Sequence, residues 1–381
     1  MSLLGTETAF EVLARAKALE AQGRSIVFLG IGEPDFDTPE HIINAAKDAL
    51  DSGYTHYTPS PGLAEVRACI AADMSVRQGY EISANNVVIT PGAKPIMFFT
   101  ILALCEGGDE VIYPNPGFPI YESMIRFSGA TPVPMPLREE LDYNPDPAEI
   151  EKLFSSKTKL VIVNSPNNPC GSVMPESTLE LIARLAAKNG AVVLSDEIYK
   201  DFYYEGQHTS ITKFPGMTGN SVILDGLSKS YAMTGWRVGY GVFPDELVEP
   251  VTRLVTNSVS CTPAFGQMAT MVALTAPQDS VTSMVAEFKL RRDILVEGLN
   301  KLPGISCPTP LGAFYAFPSI KGTGLTSQEF EQRLLNEAGV SLISGTSFGE
   351  YGQGYVRISF ANSQENIREA LRRMDSFLAG L

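Results

Sequence analysis

Five short apolar runs constrain this fold more than anything else in the chain. "NVVIT" leads into "PGAKP", "DEVIY" into "PNPGFP", "KLVIV" into "NSPNNPCG", "AVVL" into "SDEIY", and "SVIL" into "DGLSKSY". Each run is four or five residues long, continuous rather than alternating, and ends in a polar or Gly/Pro-rich cluster. Strands of that kind are buried on both faces. Helical patterns lie between several of them. One is "STLELIARLAAKNG", which closes with Lys188 and Gly190 as a helix C-terminus does. Strands alternating with helices predict an α/β domain with a mostly parallel sheet covered by helices. In such sheets the ligand binds beyond the carboxyl ends of the strands. All five polar clusters sit at those ends.

The C-terminal part has a different rhythm. "DILVEGLNKLPG" is an amphipathic helix, "GAFYAFP" and "GYVRISFA" alternate as strands do, and "ENIREALRRMDSFLAGL" closes the chain as a helix. That is a smaller α+β module. The first helix, within "ETAFEVLARAKALEAQG", is expected to pack on it. The expected division is residues 1–36 plus 283–381 for the small domain and 37–282 for the large one.

Composition narrows the function by exclusion. The 381 residues carry a net charge of −14, which disfavours nucleic acid and anionic membranes as partners. The longest apolar run, "PIMFFTILAL", is too short to span a bilayer. Five widely spaced cysteines without a CxxC point to the cytoplasm rather than to a disulfide framework. Three histidines without paired spacing give no expectation of a metal site.

The strand-end clusters hold the candidate chemistry. In "TPGAK", Gly92 permits a tight turn, and the amides near Ala93 and Lys94 then point outward at a helix N-terminus, which suits an anion. The same turn also serves as a plain strand–helix connection. Asp196 in "SDEIY" either caps a turn or presents a carboxylate, and the prolines of "SPNNPCG" make a rigid loop around Asn168. Lys229, in "LSKSYAMTGWRVGY", stands among small, hydroxyl and aromatic residues, with Arg237 eight positions on. A lysine in a weakly polar pocket loses its proton easily and attacks carbonyls. The bland alternative is a lysine whose ammonium reaches solvent from a strand end. Taken together, an anion cradle, an isolated lysine, a strand-end carboxylate, an asparagine loop and an arginine are what pyridoxal phosphate requires: a Schiff-base lysine for its aldehyde, donors for its phosphate, and a carboxylate for its pyridine nitrogen.

At this point the chain resembles the class I/II aminotransferases, fold-type I pyridoxal-phosphate enzymes. "SPNNPCG", "SDEIY" and "SKSYAMTGWRVGY" occur in that family's order and spacing, and the likeness runs from "LGIGEPDFDTPE" to "YVRISFANSQENIREAL". The resemblance implies that Lys229 carries the cofactor and the migrating proton, and that Asp196 partners the ring nitrogen. It implies that Tyr199 and Asn168 donate to the ring oxygen, and that Phe118 stacks on the ring. Gly92, Ala93, Lys94 and Arg237 fall at the phosphate. Arg357 falls at the substrate α-carboxylate, with Gly32 and Asn168 beside it. Tyr57 matches a tyrosine that reaches the neighbouring subunit's phosphate, which implies a homodimer with shared sites. Two departures stand out. Cys170 replaces a threonine of the asparagine loop, and Gly226 stands where many relatives have a serine that meets the phosphate. The expected reaction is amino transfer between an aspartate- or alanine-like L-amino acid and a 2-oxo acid. Elimination, cyclisation or decarboxylation on the same scaffold is the alternative, and a non-enzymatic regulator a remote one. Lys94 is the candidate reader of a distal carboxylate, the alternatives being that it only neutralises the cofactor phosphate or points to solvent. Glu11 would either repel that carboxylate or pair with Lys94.

Overall fold

The structure is a computed structural model that describes residues 4, 5 and 7–381. After a two-residue strand β1 (Val27–Phe28), seven strands build the main sheet: β2 (Val87–Thr90), β3 (Glu110–Asn115), β4 (Thr131–Pro136), β5 (Thr158–Asn164), β6 (Val192–Asp196), β7 (Ser221–Gly226) and β8 (Gly239–Val242). Their order is β2-β8-β7-β6-β5-β3-β4. Pairing is parallel from β4 through β7, and β8 runs antiparallel to both its neighbours. All five apolar runs are strands of this sheet. Their continuous hydrophobicity has the expected cause. Ile162, Leu194 and Val222 face one core, while Val161, Val193 and Ile223 face another on the opposite side.

Two strands of this sheet escaped the sequence reading. The edge strand β4 reads "TPVPMP". Its prolines occupy alternate positions, while the amides of Thr131 and Leu137, in phase with the residues between them, bond to Asp109 and Asn115. The residues without an N–H therefore face the free edge, where none is needed. The other, β8, reads "GYGV". A side chain at Gly239 would overlap the backbone of Gly92 and Ala93. The glycine that weakens the strand signal is what lets the turn before helix Lys94–Leu104 lie against the sheet.

The remaining strands are short: β9 (Tyr315–Ala316), β10 (Val340–Ser341), β11 (Ile343–Ser344) and β12 (Val356–Ser359). β1 pairs parallel with β10, and β12 lies antiparallel between β11 and β9. Helix Thr8–Ala21 meets β10 and β11, and Arg15 holds Glu331 at 2.5 Å. Helices Asp279–Leu299 and Gln364–Leu378 pack together. The expected boundary at 282/283 falls inside the first of these, a single 21-residue helix.

Candidate active site

Sheet register builds one wall of the site. Asn164, Asp196 and Leu224 are register partners at or near the carboxyl ends of β5, β6 and β7. The Asn164 amide donates to the Asp196 carbonyl at 3.1 Å and accepts the Asn168 N–H at 2.9 Å, so it ties the asparagine loop to the strand that carries Asp196. The Asp196 carboxylate is buried. It accepts the Tyr121 hydroxyl at 2.6 Å and, more weakly, the Ile198 N–H at 3.3 Å. Burial pushes its pKa up to about 6 against the pull of those two donors. Among the described residues Asp196 has no cationic partner.

Across a cavity of about 520 Å³ lies Lys229. Its ammonium donates to the Gly32 carbonyl at 2.6 Å and lies 5.9 Å from the Phe314 ring. Burial lowers its pKa to about 8. Glu33 opposes that shift, and the nearby cations Arg357, Arg237 and Lys94 add to it. A side chain at Gly32 would overlap the Tyr315 hydroxyl. That hydroxyl shares a 2.7 Å hydrogen bond with Tyr199. Arg357, on β12, is buried. It donates to Asn168 Oδ1 at 3.0 Å and to the Gly30 carbonyl at 2.5 Å, and stacks over Tyr315 and Phe348. Its Nε–H is buried without a partner, an open donor at the cavity wall.

At the third side, Gly92 adopts φ +81° and leads into helix Lys94–Leu104, capped by Ala93. The Arg237 guanidinium lies against this turn and donates to the Thr234 carbonyl at 2.8 Å. Ser228 lines the same cavity one residue before Lys229.

Of the sequence candidates, Gly32, Ala93, Lys94, Phe118, Asn168, Asp196, Tyr199, Lys229, Arg237 and Arg357 all line this one cavity. Gly92 shapes it from behind. Tyr57 does not reach it and is 89% exposed. Glu11 is exposed on helix Thr8–Ala21 and does not pair with Lys94; the partner of Lys94 is Glu7, just before that helix. The expectation for Glu11 is corrected accordingly. Glu11 lies past the helix start, where its side chain points to solvent, whereas Glu7 precedes the first turn and faces the cavity. Tyr121, Asn164, Ser228, Tyr315 and Glu7 were not anticipated. Asn164 was signalled by its place at the end of an apolar run, and Ser228 by adjacency to Lys229. Nothing local marks Tyr121, Tyr315 or Glu7.

An ionic cluster lies behind the lysine turn. Lys200 meets Asp225 at 2.8 Å and Asp201 at 3.1 Å. Asp225 accepts the Gly226 N–H and the Tyr240 hydroxyl, and Asp201 accepts the Ser230 hydroxyl beside Lys229. Burial pulls Lys200 toward neutrality, but the two carboxylates outweigh it and keep it charged. Arg77 also reaches Asp201, at 3.5 Å, so removing Lys200 leaves Asp225 as the buried charge without an ion-pair partner, at a cost of about 3–5 kcal/mol. Lys200→Met is therefore expected to lower unfolding stability by that amount, measured by urea denaturation.

Comparison with known proteins bears on what this cavity does. Residues 24–374 match the profile of "Aminotransferase class I and II". The chain belongs to this family. An aspartate aminotransferase of Pyrococcus horikoshii is 40% identical over 97% of this chain and 94% of its own length. An aromatic-amino-acid aminotransferase of Thermococcus litoralis is 39% identical over 94% of this chain and 93% of its own. The solved aspartate aminotransferase of Thermus thermophilus with maleate superposes with a TM-score of 0.94 at 36% identity, covering 98% and 97% of the two chains. This chain is an aminotransferase with the fold of those enzymes. No helix among the described residues is long and apolar enough to cross a membrane, and none of their His, Cys, Asp and Glu side chains cluster as metal ligands.

Proposed function

We propose that this aminotransferase holds pyridoxal 5'-phosphate in the cavity and moves an amino group between an L-amino acid and a 2-oxo acid. The observation that carries the reading is the pairing of two groups across one cavity: Lys229, drawn toward neutrality, and Asp196, a buried carboxylate in want of a cation. Asp196 would hold the ring nitrogen protonated, with Tyr121 fixing the carboxylate. The turn amides at Ala93 and Lys94, the Arg237 guanidinium and the Ser228 hydroxyl would hold the phosphate. Ser228 takes the place left by Gly226, where a Cβ would press within 3.0 Å of Gly239 Cα. Phe118 would cover the ring. The Asn168 amide nitrogen and the Tyr199 hydroxyl would meet its oxygen. When bound, the cofactor supplies the electron sink that lets a Cα–H bond break.

The protein's own part is binding, orientation and proton movement. Arg357 binds the substrate α-carboxylate, its guanidinium set by Asn168 and Gly30. Lys229 Nζ would hold the cofactor covalently and, once the substrate amine has displaced it, would move the proton from Cα. With its pKa near 8, the amine is available as a base close to neutral pH. Residues 37–282 would form the cofactor-binding body. Residues 1–36 and 283–381 would bring Gly32 and Arg357 onto the substrate. The donors are read as aspartate- or alanine-like amino acids. The similarity to an aspartate aminotransferase, and to a structure that holds maleate, supports a dicarboxylate among them. The cytoplasm is the proposed compartment, from five free cysteines. Borohydride reduction of the loaded protein is expected to fix a pyridoxyl group on the Lys229 peptide, read by mass spectrometry. A label on Lys94 or Lys200 instead contradicts the assignment.

The working unit is proposed to be a homodimer. Tyr57 cannot serve its own cavity and stands exposed. If it completes the neighbour's phosphate site, mixing Tyr57→Ala and Lys229→Ala chains restores one intact site per hybrid dimer. Random mixing then recovers about a quarter of wild-type activity. A fully active monomer in sedimentation overturns the dimer.

A further inference from the structure

Apolar side chains share the cavity wall with an ion pair. Phe10, Ile31, Met97, Phe118 and Phe348 line it. Lys94 stands among them, its ammonium 5.5 Å from the Phe118 ring and 6.0 Å from Phe10. The Glu7 carboxylate is in direct contact with that ammonium. The Lys94 side chain is 47% exposed, yet Glu7 is only 14% exposed, so the carboxylate is the more buried member of the pair. Its negative charge also reaches Arg357 and Tyr315.

We infer that Glu7 is a specificity-determining residue: it is the resident counter-ion of Lys94 and sets the side-chain end of the pocket for neutral and aromatic donors against dicarboxylates. The inference rests on the reading that Arg357 takes the substrate α-carboxylate in this cavity. With that group fixed, a donor's side chain extends toward Lys94 and the aromatic walls. A neutral or aromatic side chain meets apolar surface and an ion pair already closed on itself. A dicarboxylate meets an ammonium already neutralised by Glu7. It gains Lys94 only by displacing a carboxylate tethered to the chain, and the displaced charge remains nearby. Lys94 alone would favour a second carboxylate; Lys94 paired with Glu7 does not. This reading lowers the rank of aspartate among the donors without excluding it.

The test uses cofactor-loaded protein and two acids that cannot transfer an amino group, succinate and 3-phenylpropionate, with Kd measured by calorimetry. Glu7→Gln keeps the size of the side chain at the start of the chain, so folding is not at issue. It is expected to shift the ratio of the two Kd values about tenfold toward succinate. Lys94→Met, with Glu7 intact, is expected to shift it about tenfold the other way. Once Lys94 is Met, Glu7→Gln should still move the ratio toward succinate, because it removes a carboxylate left without its counter-ion. If Glu7→Gln moves both acids equally or neither, or if Lys94→Met weakens both alike, the inference is overturned. Arg357→Lys separates the two levels of the argument. Loss of both acids in that variant upholds the cavity reading whatever Glu7 does. Unchanged binding of both acids overturns that reading and the inference with it.

Discussion

Lys229→Ala is expected to lower kcat by about 10⁴-fold or more, because one substitution removes both the covalent anchor and the proton carrier. Positioned proton transfer alone typically contributes about 10²–10⁴-fold. The variant should still retain cofactor, since Asp196, Arg237 and the Ala93–Lys94 turn are untouched, and absorbance after dialysis reads that directly. A variant that keeps near-normal turnover removes Lys229 from the mechanism. A second readout needs no cofactor at all. Burial holds Lys229 at about 8 in the folded protein, below the roughly 10.4 of a free lysine. Between those values the unfolded chain binds a proton that the folded chain does not, so stability rises with pH across that window. Below about 8 the penalty of the buried charge is present in full; above the unfolded value it is gone. Lys229→Ala should flatten that rise in a urea-denaturation series on cofactor-free protein.

How much of this was legible beforehand depends on the range over which each signal acts. Strands β5, β6 and β7 were readable because burial on both faces demands continuous apolar runs, and a run is a local pattern. Strands β4 and β8 were not. Their sequences are set by an edge that needs no amides on one side and by a close approach to the Gly92 turn, neither visible from neighbours in the chain. The cavity residues divide the same way. Asp196, Asn168 and Lys229 each follow an apolar strand, so the rule that sites form at strand ends reaches them. Tyr315 and Tyr121 act from other elements, on β9 and on the helix after the "PNPGFP" loop, and only the fold brings them to Tyr199 and Asp196. Of the two roles open to Glu11, pairing with Lys94 is taken by Glu7, one turn earlier. Sequence placed an acid near the N-terminal helix, but only the entry angle of the chain decides which acid faces inward.

That buried carboxylate beside Tyr121 carries the second large effect. Asp196→Ala is expected to reduce kcat on the order of a hundredfold or more, the usual loss when a preorganised charge is removed from a buried site. Asp196→Asn separates charge from shape: it keeps the side-chain size and can still meet Tyr121, yet presents no negative charge to a ring nitrogen. If the charge matters, Asn should be nearly as impaired as Ala, and Glu should be milder than either. Near-normal turnover in Asn would remove the charge from the argument. The pH dependence supplies an independent check. In the folded protein burial holds Asp196 near 6, above the roughly 3.9 of a free aspartate. Between those values the folded chain binds more protons than the unfolded one, so this group makes stability fall as pH rises through the window. A protonated ring nitrogen at hydrogen-bonding distance would supply the missing cation and pull the folded value down. Loading the protein with cofactor should therefore remove that fall or reverse its sign, and should do so in wild type but not in Asp196→Asn. A slope that is the same with and without cofactor would place the ring elsewhere in the cavity, and leave the carboxylate as a structural partner of Tyr121.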